Sequence, residues 1–382
     1  MPSVGEVLDG RGVCICAGSG GVGKTTTSAA IAAGMAARGL KVCVLTIDPA
    51  KRLADSLGLE ELGNEARLVD PVLLAEGGVE PVEGGELWAM MLDAKETFDE
   101  LVRRQAPDER SRDRVLDNRI YQQISGALAG SQEYMAMEKL YELHAEGSFD
   151  LLVLDTPPSR DALDFLDAPK RLTQFIEGRS MRLFIRPTGL AARVAGRGAS
   201  MALSVLKRIV GFDLIADLAE FFDAFSGMVD GFRERARRVN ELLADPETCF
   251  LVVCGPQGET IEEAVYFHRK LAEAELPFGG VIVNKVHYAA EVEDDENLEG
   301  ALVDALGDEI LAGRVAANFA DYRALSERDT RNVDRLATEL GTSTVIRVPY
   351  LDEDVHDIAG LAEIGRYLFA GEAERVALAT GR

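Results

Sequence analysis

Residues 18–25 read Gly18-Ser19-Gly20-Gly21-Val22-Gly23-Lys24-Thr25, and the spacing G-x-x-x-x-G-K-[ST] decides the reading of the whole chain. Gly18 and Gly23 let the backbone turn tightly enough to aim successive N–H groups at a phosphate. The stretch Gly20, Gly21, Val22, Gly23, Lys24, Thr25 and Thr26 is the expected phosphate cradle. In such a loop the lysine, here Lys24, reaches the β- and γ-phosphates, and the Thr25 hydroxyl can ligate Mg²⁺. The flanks agree with that order. Val13-Cys14-Ile15-Cys16 is an apolar run of strand type, Thr25 to Arg38 is Ala-rich and suits a helix, and Gly39 stands as its stop. Strand, glycine loop, helix is what phosphate binding needs, because the helix N-terminus supplies the remaining amides. The stretch predicts a nucleoside triphosphate site.

Composition narrows the rest. A chain of 382 residues makes one large α/β domain or two ordinary ones, and 47% hydrophobic residues suffice for a full core. No apolar stretch approaches the ~18 residues of a membrane span, and the N-terminus lacks a basic-then-apolar signal, so a cytoplasmic protein is expected. The net charge of −24 disfavours nucleic acid or an anionic membrane surface as the main partner. Cys14, Cys16, Cys43, Cys249 and Cys254 fall in or beside expected strands, where a reduced thiol packs as a small hydrophobe. With no C-x-x-C pair and scattered histidines, no zinc site is expected.

Short apolar runs recur between helical stretches: Val42–Ile47, Leu87–Leu92, Leu151–Leu154, Phe250–Cys254, Val281–Val283 and Val345–Val348. They lack polar alternation, as parallel strands covered on both faces do, and predict one doubly wound, mainly parallel α/β sheet. No repeat or low-complexity linker divides residues 1–382, so a single nucleotide-binding domain is expected. Residues 94–148 and 160–245 are far longer than a crossover requires and predict a helical insert beside the sheet. Leu214, Leu218, Phe221, Phe222, Phe225, Met228, Val229 and Phe232 line one helix face there. Such a stripe is the core of a helical subdomain or the wall of a groove for an apolar client. Arg186–Gly198 reads as a loop and Glu291–Glu299 as an acidic surface segment. The amphipathic Leu361–Phe369, flanked by Glu372 and Glu374, suits a packed closing helix better than a lipid-binding one.

Two aspartates close expected strands, Asp48 before Pro49-Ala50-Lys51-Arg52 and Asp155 before Thr156-Pro157-Pro158. Ligands of open α/β sheets sit at the carboxyl ends of the strands, so both carboxylates are expected at the phosphate site. Asp155 suits a Mg²⁺ ligand, directly or through water, and Asp48 suits the residue that orients the attacking water. Either can instead cap the helix that follows.

The glycine loop, Asp48-Pro49-Ala50 and Asp155-Thr156-Pro157-Pro158 together resemble the nucleotide motifs of the arsenical pump-driving ATPase family. That family includes the eukaryotic factors that target tail-anchored membrane proteins, and the spellings here look closest to its bacterial, actinobacterial-type branch. The resemblance implies a P-loop NTPase fold, ATP and Mg²⁺ as ligands, and a dimer closing around two ATP molecules. It makes Lys24 and Asp48 the catalytic pair and Thr25 and Asp155 the metal ligands. It also puts Asn284 on the adenine ring and Pro349 in the wall of the base pocket; a turn role fits Asn284 as well.

This chain departs from the family pattern in three places. Ser19 stands where members carry a lysine that crosses the dimer interface, so a local cation (Lys51, Arg52 or Arg160) or a paralogous partner must replace it. Ser159-Arg160-Asp161-Ala162 replaces the usual continuation of the third motif, and the zinc-binding cysteine pair after Asn284 is missing. The expectation is a Mg²⁺-dependent ATPase switch serving a protein or membrane-transporter client. The alternative is a regulatory subunit with little activity alone, completed in a heterodimer by a lysine-bearing paralogue.

Overall fold

β-Branched and apolar runs bounded by glycine turns form eight strands in one sheet: β1 Val13–Gly18, β2 Lys41–Thr46, β3 Arg67–Leu68, β4 Glu86–Met91, β5 Leu151–Asp155, β6 Thr248–Cys254, β7 Phe278–Val286 and β8 Val345–Pro349. They lie in the order β3-β4-β2-β5-β1-β6-β7-β8. This is a computed structural model, and it describes residues 2–48, 51–124, 131–157, 167–171, 174, 212–288, 298–341 and 344–380. The expectations for Pro49-Ala50, Ser159–Ala162 and Arg186–Gly198, and for most of Glu291–Glu299, lie outside the described residues, as do the side chains of Leu214 and Leu218.

The pairings β2·β5, β5·β1, β1·β6, β6·β7 and β7·β8 are parallel, and the short edge strand β3 runs antiparallel to β4. β5 and β6 are buried at every position, which requires cover on both faces. The expected α/β, mainly parallel P-loop NTPase architecture is the one observed. β3 escaped the sequence reading because two exposed residues carry no pattern. β7 is longer than Val281–Val283 because Gly279 and Gly280 look like a breaker yet lie within the strand. A Cβ on Gly279 would meet Cys249 Sγ at 2.2 Å, so glycine there serves close packing of strand on strand.

The chain divides into two compact units. The first comprises the described parts of Met1–Met90, Gly147–Ala162 and Ala244–Arg382 and contains the sheet. In it the helix Ile358–Phe369 buries Ile358, Leu361, Ile364 and Leu368 and packs on the helix Lys24–Ala36. Gly34 makes room for the Phe369 ring, whose nearest atom would lie 2.0 Å from an added Cβ. All five cysteines are free and buried, and burial pushes the Cys43, Cys249 and Cys254 thiols up to about 12, as core residues. No described helix is long and apolar enough to cross a membrane.

The second unit, the described parts of Met91–Glu146 and Leu163–Leu243, is helical. Its core is aromatic: Phe98 stacks on Tyr121 at 5.6 Å, and Phe225 packs on Phe232 at 4.9 Å. Phe221, Phe222, Phe225, Met228 and Phe232 are buried, so this part of the apolar stripe is core. The same unit holds a buried polar cluster in which Arg235 Nε donates to Glu138 and the Tyr134 hydroxyl donates to the same carboxylate.

Candidate functional site

β1 ends at Gly18, and the loop then climbs to the helix Lys24–Ala36. Gly18 lies at φ +152°, where a Cβ would fall 1.9 Å from the Val253 carbonyl oxygen of the neighbouring β6. Gly23 is the helix N-cap in the left-handed region at φ +91°, with no side chain capping the first-turn amides. Gly23 has no side chain with which to cap those amides, which leaves the helix start suited to an anion. Val22 is buried beneath the loop, whereas Gly20 and Gly21 are exposed on it.

Lys24 is buried, and its Nζ donates to the Ser19 carbonyl oxygen at 2.7 Å, folded back over its own loop. Burial draws its pKa down; Asp155 and then Asp48 hold it up. Thr25 Oγ1 donates to Asp155 Oδ2 at 2.7 Å, and Thr46 Oγ1 donates to the same oxygen at 2.9 Å. The other oxygen, Asp155 Oδ1, is buried and has no hydrogen-bond partner among the described residues. Burial pushes the Asp155 carboxyl up to about 6, against the pull of Thr25, Thr46 and Lys24, and the nearby Asp48 raises it further. The Asp48 amide donates to Thr46 Oγ1 at 3.2 Å, which ties the end of β2 to the same cluster. A hydroxyl beside a carboxylate with an unsatisfied buried oxygen is the donor set of a hard divalent cation such as Mg²⁺.

A cleft of about 470 Å³ opens from this cluster, lined by Gly23, Thr25, Thr26, Asn284, Pro349 and Tyr350 among others. Asn284 is buried; its Nδ2 donates to the Val22 carbonyl at 2.9 Å and its Oδ1 accepts the Lys285 amide. It braces the phosphate loop from β7, and a Cβ on Gly23 would strike it at 2.4 Å. Each of its polar atoms keeps capacity for one further hydrogen bond. Of the cations named from sequence, Arg52 lines the cleft and Lys51 pairs with Glu61 at 3.9 Å, while Arg160 is not among the described residues.

Two participants, Thr46 and Glu263, were missed from sequence. Thr46 sits opposite Asp155 in the β2·β5 register, a pairing no local pattern reveals. Glu263, on the helix Gly258–Glu273, accepts a hydrogen bond from the Ser19 hydroxyl. Tyr350, which belongs to the same Val348-Pro349-Tyr350 stretch read from sequence, borders the cleft immediately after Pro349.

The model of the anion-transporting ATPase family matches residues 12–304. This chain belongs to that family. The chain has relatives in plants, fungi and bacteria. ATPase GET3A of Arabidopsis thaliana is 26% identical over 289 residues, covering 75% of this chain and 69% of the relative. ATPase GET3 of Podospora anserina is 24% identical over 298 residues, covering 77% and 79%. A relative from Aquifex aeolicus, named as an arsenical pump-driving ATPase, is 23% identical over 375 residues, covering 94% of this chain and 79% of its own. The family and these ATPase relatives make the chain an ATP hydrolase.

Proposed function

We propose that this chain is a Mg²⁺-dependent nucleotide switch that hydrolyses ATP to drive conformational change of a dimer, for delivery or transport of a protein or anion. The observation that carries this reading is the Thr25–Asp155 pair with its unsatisfied buried oxygen, directly beside Lys24 and the glycine loop. Thr25 and Asp155 would hold Mg²⁺, which supplies positive charge against the β- and γ-phosphate oxygens. The amides of Gly20, Gly21, Val22, Gly23, Lys24, Thr25 and Thr26 bind the phosphates. Lys24 turns from the Ser19 carbonyl onto them. Asp48 orients the attacking water. A loose phosphoryl-transfer transition state asks for positioning and charge stabilisation rather than a strong base; the Asp48 carboxylate would supply the positioning, and Lys24 and the loop amides the charge stabilisation. Asn284 and Pro349 border the adenine end. The chain acts as one ATPase domain, 1–382, with the helical insert contributed by about 94–148 and 160–245.

Steady-state hydrolysis of Mg-ATP by the purified chain, with Asp48→Asn beside it, tests this reading. Turnover is expected to fall well over tenfold in the variant while ATP binding persists. Undiminished turnover would remove Asp48 from the mechanism.

The Ser19–Glu263 hydrogen bond favours a second reading of the assembly. A neutral side chain, bonded to a carboxylate, stands where the family's lysine supplies positive charge. On this reading the chain is a regulatory subunit that a lysine-bearing paralogue completes in a heterodimer. Tight ATP binding without turnover, relieved by adding such a paralogue, is its expected signature.

A further inference from the structure

Thr46 closes β2 and is 2% exposed, the one hydroxyl in a strand whose other buried residues are Val42, Cys43, Val44 and Leu45. Valine has the same shape and needs no hydrogen-bond partner, so packing alone gives no reason for a hydroxyl there. Both bonding directions of that hydroxyl are spent inside the site. Its proton goes to Asp155 Oδ2 at 2.9 Å, across the register that sets Thr46 opposite Asp155. Its oxygen accepts the Asp48 amide at 3.2 Å, two residues further along its own chain. A hydroxyl has a single proton to give, so the chain of bonds has a fixed sense: the Asp48 N–H donates to Thr46, and the Thr46 O–H donates to Asp155.

Asp155 Oδ2 also accepts the Thr25 hydroxyl at 2.7 Å. Two donors from two elements, the helix Lys24–Ala36 and β2, hold one oxygen of the carboxylate and so aim the other, the buried Oδ1 that has no hydrogen-bond partner among the described residues. Of the two donors, Thr25 has a second duty as a cation ligand and Thr46 has none. The Thr46 oxygen at the same time fixes the backbone from which the Asp48 carboxylate projects. The aim of one carboxylate and the root of the other are thus referred to a single atom, Thr46 Oγ1. Resting on the reading that Asp155 holds Mg²⁺ and Asp48 the attacking water, we propose that Thr46 is a positioning residue for hydrolysis, whose hydroxyl sets Asp155 and Asp48 in register so that both address the same γ-phosphate. Groups that stand behind a metal ligand in this way are worth about 10- to 100-fold in metal affinity or activity.

Thr46→Val keeps the shape and removes both bonds. Calorimetric titration of the full chain with ATP, across a range of Mg²⁺ concentrations and in EDTA, reads the Asp155 arm, and single-turnover hydrolysis at saturating Mg²⁺ reads the Asp48 arm. In Thr46→Val the Mg²⁺ concentration that half-saturates the gain in ATP affinity is expected to rise about tenfold and the single-turnover rate to fall about tenfold. ATP affinity in EDTA is expected to stay within about twofold, because the loop amides and Lys24 are untouched. Thr46→Ser restores the hydroxyl and is expected to recover both quantities to within about threefold, whereas Thr46→Ala follows Thr46→Val. In an Asp48→Asn background Thr46→Val is expected to lower the rate by less than about threefold while the Mg²⁺ requirement still rises, since the water arm is already gone. A full tenfold rate loss in that background would confine Thr46 to Asp155 and overturn the joint role. An unchanged Mg²⁺ requirement in Thr46→Val, or equal losses in Thr46→Ser and Thr46→Val, overturns it as well and leaves the site itself standing. Wild-type ATP binding that is indifferent to Mg²⁺, or undiminished turnover in Asp48→Asn alone, overturns the reading of the site and the proposal together, and either is seen without touching Thr46.

Discussion

Asp155 shows how a single residue is made costly in the folded state and useful on binding. Its carboxyl titrates at about 6 in the fold against 3.8 unperturbed. The folded chain therefore holds the proton more tightly than the unfolded one. The group's contribution to stability is greatest in acid and falls as pH rises from about 4 to about 6; at pH 7 the ionised form costs about 3 kcal/mol. Asp155→Asn removes that cost and the cation ligand together. Denaturant titration is expected to find the variant without nucleotide more stable by ~1–3 kcal/mol at pH 7, with the gain vanishing near pH 4, while hydrolysis falls on the order of 100-fold or more. A variant that is less stable at pH 7 would mean that the hydrogen bonds from Thr25 and Thr46 outweigh desolvation. Glu263 poses the opposite case, an exposed carboxylate that Ser19 holds at the mouth of an anion site. Glu263→Gln is expected to tighten ATP binding about three- to tenfold at low salt and less at 0.5 M salt, where an exposed charge is screened. Affinity that is indifferent to the substitution would place the carboxylate too far from the phosphates to matter.

At the scale of elements, what could be read from the chain was whatever a short stretch encodes by itself. Gly18 to Thr25, the strand runs and the strand-end aspartates are local patterns. Thr46 opposite Asp155 and Asn284 against the Val22 carbonyl depend on register between segments more than a hundred residues apart. No spacing within one segment announces them. The helix Lys24–Ala36 illustrates the same boundary. Its start and stop were legible, but Gly34 in its interior was not, since the reason for it is the Phe369 ring from the closing helix. Two effects compete when Gly34 becomes alanine. Helix propensity gains about 1 kcal/mol, whereas forcing a methyl into a filled contact costs about 1–3 kcal/mol. Three ring atoms stand within 2.7 Å of the added Cβ, so crowding is expected to win by ~1–2 kcal/mol. A double-mutant cycle with Phe369→Leu decides the cause, because the loss should shrink by more than half when the ring is gone. Additive losses would trace the effect to the helix backbone.

For the whole molecule the dominant quantity is charge. Each chain carries −24, and the proposed switch requires two chains to meet. Two such bodies repel at a range set by the ionic atmosphere, about 30 Å at 0.01 M salt and about 8 Å at 0.15 M. Attraction at an interface is short-ranged, so salt removes more of the repulsion than of the contact. Association of two copies of this chain with ATP is therefore expected to strengthen as salt rises from 0.02 to 0.2 M. Sedimentation equilibrium of Asp48→Asn, loaded with Mg-ATP so that hydrolysis does not deplete the ligand, measures it directly. A dimer that weakens as salt is added would mean that ion pairs across the interface exceed the net repulsion, with the cationic side chains gathered on the contact face. A chain that stays monomeric with ATP at every salt concentration would turn the argument from a homodimer to the heterodimer. In that assembly a less acidic paralogue would lower the repulsion and would supply the lysine in whose place this chain has Ser19.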